Sequence, residues 1–209
     1  MKKSLCAALL ALATASVPAL VGTPAHAAPG QTLICDNHRN NPYTGTYKQV
    51  TVPRGASCFL ANAHVLGNFK ALHGAVNVYI IATPVDRNIH IKGATRDVKI
   101  GPRHCRFDPT VGNNIIVTRS HNVAICFSTV KDNISVTRND GRIMLRNNKV
   151  GKNIRVVDNL PYAHQPGDGQ HPNMDAIRLR DNTAGRHITV TRNNGRPLIA
   201  DGNSPAVNS

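Results

Sequence analysis

The stretch NISVTRNDGRIMLRNNKVGKNIRVVDN, residues 133–159, says nearly the same thing twice: NISVTRN opens it and NIRVVDN closes it, twenty residues later. Extending the comparison outward shows that the duplication is one step of a longer series. The units are QVTVPRGASCFLANAHVLG (49–67), NFKALHGAVNVYIIATPVDR (68–87), NIHIKGATRDVKIGPRHCRFDPTVGN (88–113) and NIIVTRSHNVAICFSTVKD (114–132). NISVTRNDGRIMLRNNKVGK (133–152), NIRVVDNLPYAHQPGDGQHPNMDAIRLRDNTAGR (153–186) and HITVTRNNGRPLIADGNSPAVNS (187–209) complete the series. Uninterrupted units are 19 or 20 residues long, and the third and sixth carry insertions.

Within each unit the apolar residues fall as two alternating pairs and a single. Unit five has Ile134 and Val136, Ile143 and Leu145, then Val150; unit four has Ile115 and Val117, Val123 and Ile125, then Val130. Spacing of two means a strand with one buried face. A unit this short has no room for helical crossovers between strands. Each unit therefore reads as one coil, and the fold as an all-β, single-domain parallel β-helix of about seven coils, on the order of 35 Å long from the inter-strand spacing. The chain has no Glu and no Trp and is rich in Asn, Val, Ile, Thr and Gly, which suits strands and turns over helices.

The recurrent residues fit a coil. Asn68, Asn88, Asn114, Asn133 and Asn153 precede the first strand, with Gln49 and His187 at the same place, and a column of amides there can bond from coil to coil. Gly67, Gly112, Gly151 and Gly185 follow the single apolar residue and are expected to supply the positive φ of a tight corner.

Residues 1–27 have the layout of a secretory signal: Lys2 and Lys3, an apolar run from Leu5 to Val21, and Ala25-His26-Ala27. No second apolar run is long enough to span a bilayer, so the mature chain is expected to be secreted, without a transmembrane anchor. Four cysteines follow, Cys35, Cys58, Cys105 and Cys126, which allow three connectivities in an oxidising compartment. Cys58 takes an apolar position of coil one, so Cys35–Cys58 would staple the segment 28–48, expected to be an N-terminal cap, to the helix. Cys105–Cys126 would pin the insertion of coil three to coil four.

The segments TVPRGASCFL, NAHVLGNF and HGAVNV resemble the start of small secreted bacterial right-handed parallel β-helix proteins of no established activity. The resemblance covers residues 49–200 and implies the hand of the coil and export from the cell, but no chemistry.

The formal charge of +14 favours polyanionic neighbours such as acidic polysaccharide or another cell-wall polyanion. Two places beyond the second apolar residue of the first strand stand Arg54, His73, Gly93, Arg119, Arg138, Asp158 and Arg192, a mainly basic stripe along the rod. Arg54, His73, Arg119, Arg138 and Arg192 are the candidate ligand-binding residues, arginine being shaped for bidentate contact to carboxylate. Specific nucleic-acid reading is not expected, because aromatics make up only 4% of the chain and none pairs with the basic positions.

The insertion of coil six, LPYAHQPGDGQHPNM, holds His164, Asp168 and His171, with Asp175 just beyond and Arg178 and Arg180 pointing outward from AIRLR. Asp175, Arg178 and Arg180 are the candidate catalytic residues of a second reading, a polysaccharide lyase or glycoside hydrolase acting on an acidic polymer. NMDAIRL resembles the NTDG strand of the pectin-hydrolysing β-helix enzymes only in part: the Gly after Asp and the companion motifs are missing. The His164, Asp168, His171 and Asp175 spacing is too loose to assign a metal, and no cofactor motif is present. The first reading is a non-catalytic, secreted structural or binding protein.

Overall fold

The computed structural model describes residues 30–101, 109–160, 177–193 and 198–208. Among them every paired strand is parallel to its neighbours and no helix occurs. The chain winds as a solenoid with three faces. Face A stacks Phe69–Ala71, Ile89–Lys92, Ile115–Thr118, Ile134–Thr137, Asn153–Val157 and His187–Thr191. Face B stacks Cys58–Val65, Val78–Ile81, Val98–Ile100, Val123–Cys126, Ile143–Arg146, Ile177–Arg180 and Leu198–Asp201. Face C is narrow, built from the two-residue strands Thr110–Val111, Thr129–Val130, Lys149–Val150 and Thr183–Ala184, with bridges at Val65, Val85 and Ser204. The expected parallel β-helix is the observed architecture.

Register follows the repeat residue for residue. Ile89, Ile115, Ile134, Ile154 and Ile188 align on face A, and Val78, Val98, Val123, Ile143 and Ile177 on face B. Each of these side chains is at most 1% exposed, so the core is a stack of aliphatic layers. Burying each stabilises the fold by roughly 1.5–3 kcal/mol, and a slip by one residue would turn every layer outward.

The described part of the segment before coil one is itself a coil. Gln31–Ile34 lies parallel to the second half of Tyr43–Val52, while the first half of that strand pairs with Cys58–Val65. Tyr47, fully buried, pairs with Val65 at the start of face C. The Asn37 side chain accepts from Phe59 N–H and donates to the carbonyls of Phe59 and Asn41, closing the leading turn over face B. Cys35–Cys58 is formed, with its Cα atoms 5.3 Å apart, and joins this leading coil to coil one. The solenoid thus has about eight coils. Cys105 lies outside the described residues, and so does the expected pairing with Cys126, which ends a face-B strand half-buried. The segment 1–27 lies outside them too.

Three amide ladders tie coil to coil. In the anticipated one, Asn88, Asn114, Asn133 and Asn153 each donate backbone N–H and Nδ2 to the Oδ1 of the Asn one coil earlier. Two more run inside the rod. At the A-to-B corner Ser120 donates its N–H to Asn139, Asn139 donates to Asn159, and Asn159 to Asn193. At the B-to-C corner Ser128, Asn148, Asn182 and Asn203 do the same. These inner ladders donate toward the later coil, opposite to the outer one.

The conformation at each corner explains the inward turn. Arg119, Arg138, Asp158 and Arg192 have φ between 51° and 58°, as do Phe127, Asn147 and Asp181 at the next corner to within a few degrees. One residue in the left-handed region swings the following side chain into the core, where Ser, Asn or Thr meets the backbone. The corner glycines Gly112, Gly151 and Gly185 serve a purpose other than the expected positive φ. A Cβ at any of them would overlap the carbonyl oxygen of Asp86, Lys131 or Gly151 in the coil beneath, so glycine is required by close approach.

Candidate functional site

The basic stripe lies on the A-to-B corner, where Arg119, Arg138 and Arg192 are the left-handed residues of their coils, while beside Arg54 and His73 the positive φ falls one residue later, on Gly55 and Gly74. Arg54, His73, Arg119, Arg138 and Arg192 are all exposed, but the column is not uniform. Arg54 and His73 lie against the glycines of the next coil: a Cβ at Gly74 would meet the Arg54 side chain, and one at Gly93 the His73 ring. Arg192 is held by Asp158 in a two-pronged ion pair, Nε to Oδ1 at 2.7 Å and Nη2 to Oδ2 at 3.0 Å. Arg119 and Arg138, on consecutive coils between these ends, make no ion pair with any described residue. Two guanidinium groups in register roughly 4.8 Å apart at the backbone repel one another. The stripe is therefore strongest at coils four and five, and Asp158 neutralises its continuation.

Of the coil-six candidates, Arg178 and Arg180 sit on face B in register with Met144 and Arg146. Arg180 is exposed and lies 3.5 Å from Asp201; Arg178 is half-buried, and its Nε has no hydrogen-bond partner among the described residues. Asp175, and with it His164, Asp168 and His171, lies outside the described residues. Among the described residues no group of three or more His, Cys or Asp stands close enough to hold a metal ion.

Comparison with known proteins gives no lead. No family model matches the chain, and no curated protein or solved structure does either.

A groove on face B went unnoticed in the sequence. It encloses about 450 Å³ and runs from coil one to coil five. Its floor includes Ala61, Ile81, Ala124 and Met144, and its cations are Arg39, Lys99, Arg142 and Arg146. Phe59 and Tyr79 stack face to face at one end, 4.6 Å between centroids and 9° from parallel. The Lys99 ammonium covers Tyr79 at 5.0 Å and the Arg146 guanidinium lies 6.0 Å from Phe127.

Behind this end stands Asp97, which accepts from the Tyr79 hydroxyl at 2.9 Å and from Asn122 at 3.2 Å, and pairs with Lys99 at 3.3 Å. Burial alone would raise its pKa, but these donors and the Lys99 charge outweigh burial and hold the carboxyl below its ordinary value. Burial, the bond to Asp97 and the Asp97 charge together push the Tyr79 hydroxyl up to about 12, against a smaller lowering by Arg39. The alternation of outward residues was visible in the sequence. That outward residues of five coils and Arg39 of the leading coil converge follows only once the register is known.

Proposed function

We propose that this is a secreted, non-catalytic solenoid that holds an acidic polysaccharide or similar cell-wall polyanion along its A-to-B corner. The observation that carries the reading is the pair of exposed arginines, Arg119 and Arg138, stacked on consecutive coils without a described counter-charge. A chain of carboxylates laid across that corner relieves their repulsion and offers each guanidinium a planar partner. Arg54, His73 and Arg192 extend the contact toward either end. The strong positive charge steers such polymers to the surface.

The test is retention and calorimetric binding of the mature protein on polyuronates and glycosaminoglycans over a range of salt. Binding should weaken steadily with salt and fall about tenfold or more in the double variant Arg119→Gln/Arg138→Gln, since charge-assisted bonds contribute about 1.5–3 kcal/mol each. Asp158→Asn should bind more tightly, because it frees Arg192 and removes the one acid of the stripe. No retention at low salt ends the proposal. Release of shortened products, lost in Asp175→Asn, would replace it with a lyase or hydrolase.

A further inference from the structure

The groove on face B differs in chemistry from the arginine corner. Its volume falls within the range of small-molecule sites. Its charged side chains are all cationic donors, Arg39, Lys99, Arg142 and Arg146, and the Tyr79 hydroxyl already gives its proton to Asp97. Among the described residues no Asp, Asn, Gln, Ser or Thr lines it. A sugar ring carries hydroxyls that must donate as well as accept, and here they would find no side-chain carboxylate or amide. The aromatic rings are also partly covered: Phe59 and Tyr79 stack on each other, Lys99 lies over Tyr79 and Arg146 over Phe127. What remains is an aliphatic floor with cations at its rim. Lys99 is paired with Asp97, whereas Arg39, Arg142 and Arg146 make no ion pair with any described residue.

We propose that this groove binds a single-chain anionic amphiphile, a fatty acid, with its chain along Ile81, Ala124 and Met144 and its carboxylate at Arg142 and Arg146. The ladder of coils places the head near coil five and lets the chain run down the rod toward coil one, a span of about 20 Å at the coil spacing. Charge complementarity selects the occupant: a neutral or cationic chain of the same length gains the floor but not the arginines.

The experiment is calorimetric titration of the mature protein, below the micellar concentration, with octanoate, decanoate and laurate, and with dodecyltrimethylammonium as the cationic control. Affinity should rise about fourfold per added methylene while the chain still meets the floor. Laurate should bind at least tenfold more tightly than the cationic chain. Arg142→Gln/Arg146→Gln should abolish that preference, and Ala124→Trp, which fills the floor from an outward position, should remove binding of both. The Arg119→Gln/Arg138→Gln variant should leave laurate binding unchanged, so this site stands or falls apart from the arginine corner. Circular dichroism checks that each variant keeps its strands. Laurate binding that is independent of chain length, no tighter than the cationic control, or untouched by the groove variants overturns the proposal.

Discussion

A buried asparagine amide carries two donors and an acceptor that must all find partners, and Asn139 shows how the inner ladders meet that demand. Its Oδ1 accepts from Ser120 N–H at 2.9 Å, and its Nδ2 donates to Val117 O and to Asn159 Oδ1. Asn133, in the outer ladder, makes a similar set of bonds but is half-exposed. The two positions should therefore respond differently to the same change. Asn139→Ala strands a backbone N–H and a carbonyl away from water and should cost about 3 kcal/mol, whereas water can replace the amide in Asn133→Ala, which should cost about 1 kcal/mol. Urea unfolding at fixed pH measures both, and equal losses would contradict the account. The outer column was legible because its Asn recurs just before each apolar pair. The inner one was equally regular, as TRS, TRN, VDN and TRN at 118–120, 137–139, 157–159 and 191–193. It was not legible as a ladder because nothing in the letters says that a left-handed residue swings the next side chain inward.

At the scale of the strand and its corner, the coils are joined by more than aliphatic layers. Tyr79 and Asp97 link the face-B strand of coil two to the corner of coil three, and this contact titrates. The folded pKa of Asp97 is lowered, so its contribution is present above the unfolded value of about 3.9 and is lost as pH falls through the folded value. The folded pKa of Tyr79 is raised, so its contribution is present below about 10 and is lost as pH rises through about 12. Tyr79→Phe removes the donor from Asp97. Its urea midpoint should lie below the parent's at neutral pH and fall less than the parent's on both the acid and the alkaline side. Coincident curves would mean that the bond does not couple the coils. The strands themselves were fully legible, since alternation in every coil marked them. The groove they frame was not, because it needs Arg39 from a leading coil that lacks the repeat.

At the scale of the whole molecule, the solenoid is a stack in which each coil touches only its neighbours, so stability is a sum of coils and seams. The repeat length predicted this stacking, and the long units 88–113 and 153–186 are where two coils carry extra chain. The opposed directions of the ladders bear on how such a stack fails under load. Between coils four and five and between coils five and six the inner and outer amides bind the seam from both sides, through donors of the earlier coil and donors of the later one. Pulled from its two ends, the rod should give way one seam at a time, and each rupture should release the chain of one coil. Corresponding ladder residues are 34 positions apart across coil six, 20 across coil five and 26 across coil three. At about 3.5 Å per residue these are contour gains of roughly 120, 70 and 90 Å. Force spectroscopy on a single molecule should thus show a staircase of unequal steps. A long step near the start means peeling from the C-terminal end, and one near the finish means peeling from the disulfide-bound end. A single rip of the whole chain would show that the seams do not yield separately.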